Sequence, residues 1–204
     1  VDTGYFETFN KENVHLINLK ENPISEITSN SINSDEVYEI DTLILATGFD
    51  AMTGALTNID ISGRDNIKLK DQWEEGAKSY LGLGISNFPN LFTVTGPGSP
   101  SVLSNMMPSI EQHVNWITDC IDWMIKNEKK VIESSATAEE DWMVLVNEIA
   151  DMTIFTDTKS WYNGSNIESK AKAFLPFIGV PVYTEMLEEV VSENYKGFIF
   201  DRVN

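Results

Sequence analysis

Hydrophobic positions change their period partway along the chain. Over residues 14–45 they come in short runs separated by polar turns. VHLINL (14–19) and residues 24–28 are rich in β-formers, SNSINSD (29–35) is a polar turn, and residues 37–40 resume the pattern. This predicts a small antiparallel hairpin unit. Leu43, Ile44 and Leu45 are then unbroken apolar positions, as in a strand buried on both faces, and they run into Ala46-Thr47-Gly48. Residues 51–87 read as loop. LFTVT (91–95) reads as a second short buried strand ending in Gly96-Pro97-Gly98.

From about Ser104 to Lys126 the period lengthens. Ile110, Val114, Ile117, Ile121 and Met124 recur at steps of four and three, which puts them on one face of a helix that would be buried over much of its girth. His113, Trp116, Cys120 and Trp123 form a second apolar stripe beside it, and Glu111, Asn115, Thr118 and Asp122 a wet face. Thr137 with Glu140 reads as a capping box for another helix carrying Trp142, Leu145, Val146, Ile149 and Met152. Residues 156–172 read as a long polar loop, 183–192 as a last helix and 197–200 as a last strand.

Composition narrows the function. The chain carries a formal charge of −18 from 32 acidic and 14 basic residues, which excludes a phosphate-binding surface for nucleic acid or an anionic membrane. No apolar run approaches the roughly 20 residues that span a bilayer, and no secretion signal is visible at Val1, so a cytoplasmic protein is expected. Cys120 is the only cysteine, so no internal disulfide can form, and His15 with His113 are too few for a histidine metal site. Cys120 reads as a small buried hydrophobe and His113 as a core histidine.

Three stretches could carry chemistry. LILATGFD (43–50) would place Thr47 and Gly48 at the carboxyl edge of a sheet, where ligands of open α/β folds bind. LFTVTGPGSPS (91–101) would present backbone N–H groups at a helix start, although Gly96-x-Gly98 and Gly82-x-Gly84 both lack the third glycine of a dinucleotide fingerprint. KSWYNGSN (159–166) reads either as a mobile lid or as an aromatic anchor pinning a loop. No Ser–His–Asp set, no paired acid and base and no G-x-S-x-G elbow can be argued.

Taken in order, D-T-G-Y-x-E-T-x-N (2–10), D-x-L-x-L-A-T-G-F-D-A-x-T-G-A-L (41–56), Y-L-G-L (80–83), F-P-N-L-F (88–92), G-P-G-S-P-S (96–101), S-I-E-Q-H-V (109–114), S-W-Y-x-G-x-N (160–166) and Y-x-G-F (195–198) resemble the cyclohexanone monooxygenase type of Baeyer–Villiger flavin monooxygenase. The resemblance implies FAD and NADPH as cofactors. Flavin, oxygen and NADPH then convert a ketone to an ester or lactone, the cofactors supplying the chemistry and the protein positioning them. It implies an α/β fold class: a fragment of a flavoprotein with two dinucleotide-binding domains, with a short β-hairpin unit, buried parallel strands and a helical C-terminal half. Residues 1–50 would be the tail of the NADP-binding domain. Residues 51–204 would be the C-terminal part of the FAD-binding domain, with substrate-covering helices and a control loop.

By resemblance, Thr47 and Gly48 stand where the NADP domain returns to the FAD domain. Ser104, Asn105 and Met106 stand beside the flavin, and Leu103, Ser104 and Met106 line the substrate pocket. Trp161 matches the NADP-bonding tryptophan of the control loop, which also holds Asn166. There the family's Asn-x-Pro-Gly-Lys is replaced by Asn166-Ile167-Glu168-Ser169-Lys170, without the residues that bend and stiffen the loop.

The family's two G-x-G-x-x-G fingerprints and its F-x-G-x-x-x-H signature find no counterpart here, and its essential arginine precedes the D-T-G-Y stretch, before Val1. No catalytic residue or metal ligand is therefore assigned, and the chain alone is expected to be inactive and to retain no flavin. Its partners would be the family's N-terminal part, or itself through exposed edges. Two alternatives stand beside this reading: part of a nitrogen- or sulfur-oxidising flavin monooxygenase, against which the stretch from Asp50 weighs, and a non-enzymatic domain that binds a partner chain.

Overall fold

The computed structural model describes residues 3–48, 50–51, 53–100, 104–158, 160–164, 177 and 179–201. The chain divides into two compact units, Val1–Gly48 and Phe49–Asn204.

In the first unit a single helical turn, α1 (Tyr5–Thr8), precedes an antiparallel meander of β1 (Glu26–Ile27), β2 (Ser31–Asn33) and β3 (Val37–Glu39). The register pairs Ile27 with Ile32 and Ile32 with Tyr38. Residues 29–35 are thus not one turn but a strand between two. Thr28 makes the first turn: its N–H donates to the Ser31 carbonyl (2.9 Å) and its hydroxyl accepts from the Ser31 N–H (3.0 Å). Asp35 makes the second, its carboxylate accepting from the Tyr38 hydroxyl at 2.9 Å and the Glu36 N–H at 3.1 Å. Residues 14–19 form no strand.

Residues 43–45 form no strand either, and Ile44 is 82% exposed. A strand buried on both faces needs a neighbour at each edge, and no described strand supplies one for this run. Among the described residues, the runs 43–45 and 91–95 therefore form no parallel strand. Both described sheets are antiparallel, and at 91–95 only Phe92 makes a bridge, to Gly84.

The second unit opens with two helical turns, α2 (Gly54–Thr57) and α3 (Leu69–Gln72), where the sequence suggested mostly loop. Leu69 and Trp73 join Ala77, Ile85 and Phe88 in a small core. The main core is built by α4 (Met106–Lys126), β4 (Ile132–Ser134), α5 (Ala136–Asp151), α6 (Val180–Ser192) and β5 (Phe198–Phe200). β4 pairs antiparallel with β5, Ile132 opposite Phe200.

Helix α4 turns inward the stripe His113, Trp116, Cys120 and Met124, while Val114 and Ile121 are exposed. Of the two adjacent apolar stripes, the aromatic one is buried because Trp116 and Trp123 pack on Tyr195, Phe198 and Phe200. Helix α5 is capped by Ser135, whose hydroxyl accepts from the Ala138 N–H at 3.1 Å, so the cap lies two residues before Thr137. Helix α6 begins at Val180 with Pro181 in its first turn, three residues earlier than the pattern indicated, because Pro181 lacks only an N–H that the first turn leaves unbonded. No helix among the described residues is long and apolar enough to cross a membrane.

Candidate functional site

The candidate site grows from two interlocked glycine turns that lead into α4. Gly96 N–H donates to the Gly82 carbonyl at 3.2 Å, and the Thr93 hydroxyl donates to the same oxygen at 2.8 Å. Gly82 has φ +70°, and a Cβ there would lie 2.4 Å from that of Ser99; one on Gly96 would lie 2.7 Å from the Gly82 carbonyl. These glycines bring backbone against backbone and leave no space for a phosphate between them. Ser79 ties the turns together, donating to the Pro97 carbonyl and accepting from the Gly82 N–H.

Beyond the turns, Asn105 caps α4, its side-chain oxygen accepting from the Met107 N–H at 3.1 Å. The Ser104 hydroxyl lies 3.3 Å from that of buried Ser109. No acidic side chain lies in the first turn of α4, so this end keeps the positive field of the helix. Ser104, Asn105 and Met106 are thereby held together at a helix start with a polar face. Leu103 lies outside the described residues.

Helix α4 is fixed to the turns by His113. This fully buried ring accepts the Thr95 N–H at Nδ1 (3.0 Å) and meets the Tyr183 hydroxyl at Nε2 (2.7 Å), and that hydroxyl donates to the Leu81 carbonyl at 2.6 Å. Because Nδ1 accepts, Nε2 carries the proton and donates to Tyr183. Burial depresses His113 to about 4, against a weaker opposing pull from the Thr93 backbone, so the ring is neutral near pH 7. Burial also holds the Tyr183 phenol far above its ordinary range and pushes the Cys120 thiol up to about 12. Neither group ionises under ordinary conditions, and Cys120 is the inert core residue its position suggested.

Two buried carboxylates brace the loop before the turns. Glu139 on α5 accepts from the Ser86 N–H (2.8 Å) and hydroxyl (2.9 Å), and burial raises its carboxyl above the usual range. Glu133 on β4 accepts from the Asn87 N–H at 2.9 Å and pairs with Arg64 at 2.6 Å. Neither carboxylate shows a distinguishing spacing in sequence. Replacing Glu139 by Ala leaves the buried Ser86 donors unpaired, and we expect a loss of about 2 kcal/mol in chemical denaturation. A change within about 0.5 kcal/mol, the range of ordinary surface substitutions, would show that the brace contributes little.

Trp161 stands on a 3-10 turn (Trp161–Asn163) capped reciprocally by Ser160 and Asn163. Its ring stacks on Tyr162 at 4.2 Å, and Tyr162 packs on Phe155 at 5.1 Å. Buried Asn163 donates to the carbonyls of Phe155 (3.0 Å) and Thr158 (2.8 Å). Tyr162 thereby packs this turn against Phe155, four residues beyond the end of α5. Asn166 and the substituted residues after it lie outside the described residues. Thr47 and Gly48 belong to the first unit, where both are exposed and Gly48 has φ +83°.

No family model matches the chain. Individual proteins do. A cyclohexanone 1,2-monooxygenase of Acinetobacter is 41% identical over 97% of the chain and 36% of its own length. A solved structure of cyclohexanone monooxygenase from Rhodococcus bound to NADP+ superposes with a TM-score of 0.91 at 38% identity, over 99% of the chain and 38% of its own. Along nearly its whole length the chain is thus similar to part of the Baeyer–Villiger monooxygenases. It spans a little over a third of the length of the relatives it matches. A phenazine N-monooxygenase of Lysobacter antibioticus is 40% identical over 96% of the chain and 36% of its own length. Similarity to these relatives thus does not by itself choose between a protein named for oxidising a ketone and one named for oxidising a nitrogen.

Proposed function

We propose that this chain is the C-terminal portion of an FAD- and NADPH-dependent Baeyer–Villiger monooxygenase that converts ketones to esters or lactones with oxygen. The observation that carries the reading is the match to a cyclohexanone monooxygenase along 97% of the chain, since no other chemistry is suggested by the buried groups. Flavin and NADPH supply the redox chemistry when bound. In this reading Ser104, Asn105 and Met106 line the flavin side at the start of α4, and Leu103 with Ser104 and Met106 face the substrate. Trp161 and Asn166 serve NADPH, and Thr47 and Gly48 form the return between the two nucleotide domains. Among the described residues, the glycine turns at 82 and 96 do not fit the flavin pyrophosphate, because they are filled by each other's backbone. That cradle would come from sequence this chain does not match, and the chain alone would be inactive.

Nitrogen oxidation is the second reading, supported by the equally strong match to the phenazine enzyme. It places the same residues around the same flavin and differs only in substrate.

Absorbance after incubation with FAD and desalting tests the cofactor assignment. The expected result is a colourless protein that gel filtration shows to be self-associated, through exposed apolar residues such as Leu16, Ile44 and Leu45. Retention of about one flavin per chain would mean that these residues hold flavin without a phosphate cradle, and a clean monomer would remove the self-association.

A further inference from the structure

Asn163-Gly164 is the one Asn-Gly step in the chain. At such a step an asparagine loses its amide most readily, because glycine sets no Cβ beside the backbone nitrogen that attacks the side chain. Here the step lies in a turn that holds each reacting group. Asn163 is 5% exposed. Its side-chain nitrogen donates to the carbonyls of Phe155 (3.0 Å) and Thr158 (2.8 Å), and its side-chain oxygen accepts the Ser160 N–H at 3.4 Å. The Gly164 nitrogen, the nucleophile of the reaction, donates its N–H to the Trp161 carbonyl at 3.2 Å, and Gly164 closes the turn at φ +70°.

These contacts act in opposite senses before and after reaction. In the closed turn the leaving nitrogen is tied to two acceptors and the N–H of the attacking nitrogen is occupied, so ring closure waits for the turn to open. In the product the same surroundings are hostile. An aspartate at 163 only accepts, and it would set a buried carboxylate against the Phe155 and Thr158 carbonyl oxygens. An isoaspartate would also lengthen the backbone before Gly164. Neither product remakes the turn.

We propose that Asn163 is a deamidation site gated by this turn, which makes a transient opening permanent. The Gly164 nitrogen gives up its proton and bonds to the Asn163 Cγ. The Cγ–Nδ2 bond breaks, and ammonia leaves with that proton. Water then opens the cyclic imide at either carbonyl, leaving aspartate or isoaspartate, with no change of oxidation state. The proposal rests on the turn alone and not on the cofactor reading, although under that reading the same turn carries Trp161.

The full 204-residue chain is incubated in mildly alkaline buffer, folded and in urea. The peptide that contains Asn163 is followed by mass spectrometry for exchange of the amide NH2 for OH. The slow reaction tracks the population of open turn. The folded chain should therefore convert about thirtyfold more slowly than the unfolded one, since two amide hydrogen bonds, each a factor of about five, must break together. Ser160→Ala removes the hydroxyl that accepts the Tyr162 N–H at 3.3 Å. It should speed the folded chain about fivefold and leave the rate in urea unchanged. Asn163→Asp, which supplies the product directly, should raise deuterium exchange across residues 160–164 while α5 keeps its protection. A folded chain that converts as fast as the unfolded one or never converts, a Ser160→Ala chain no faster than the parent, or unchanged exchange in Asn163→Asp would overturn the proposal.

Discussion

Acidification from about pH 7 to about pH 4 is expected to cost the second unit about 3 kcal/mol through His113 alone. The ring is depressed from 6.5 to about 4 by burial, and each pH unit of that difference is worth about 1.4 kcal/mol. Between those two values the unfolded chain binds a proton that the folded ring refuses, so stability falls as pH falls through this window and levels off below it. Glu139 works in the opposite direction. Its buried carboxyl takes up a proton more readily in the folded chain, so acid relieves a cost there. The two are separated by comparing urea unfolding of the parent with that of His113→Gln across the window. The variant should start less stable, having lost the link between Thr95 and Tyr183, and then lose less on acidification. Parallel pH curves for the two proteins would show that His113 does not carry the acid sensitivity.

The sequence made the helices legible because their burial repeats with a period no loop imitates. Helix α4 was readable almost to the residue, from about Ser104 to Lys126 against Met106–Lys126, since its apolar positions recur at steps of four and three. Its buried face was not readable, because two apolar stripes lie side by side and only tertiary partners, Tyr195, Phe198 and Phe200, decide between them. The same limit explains residues 43–45 and 91–95. An apolar run states that a segment is to be covered, but not by what, and a parallel strand requires neighbours that its own residues cannot specify. β4 was missed for the opposite reason. IES carries a buried Glu133 whose partner, Arg64, stands 69 residues earlier, and nothing local announces that pairing.

The site shows a similar division. The ordered series of short motifs was visible in sequence, and a cyclohexanone 1,2-monooxygenase is 41% identical over 97% of the chain. What the motifs do physically was visible only in part. The glycines of Y-L-G-L and G-P-G-S look in sequence like a loop made for a ligand, whereas Gly82 and Gly96 serve the contact between the two turns themselves. Tyr183 drew no attention at all, because a tyrosine at the start of a helix has no signature until His113 and Leu81 are seen around it.

Trp142→Ala is expected to cost about 4 kcal/mol, the largest effect of a single substitution proposed for this chain. The indole is 5% exposed, stacks on Phe177 at 5.0 Å, meets Tyr183 at 6.1 Å, and stands edge-on to Tyr80 at 6.5 Å. Its N–H donates to the Gly98 carbonyl at 3.2 Å. Truncation removes the ring from the centre of the core and strips Gly98 of its partner in the turn that leads to α4. With domain stabilities of roughly 5–15 kcal/mol, a loss of this size brings the second unit close to unfolding at room temperature. Trp142→Phe separates the two contributions. It keeps most of the aromatic packing and removes the donor, so about 1–2 kcal/mol should be lost. If the two variants cost the same, the hydrogen bond to Gly98 outweighs the ring packing. If Trp142→Ala costs under about 1 kcal/mol, the aromatic cluster is not what holds α5 and α6 against the glycine turns.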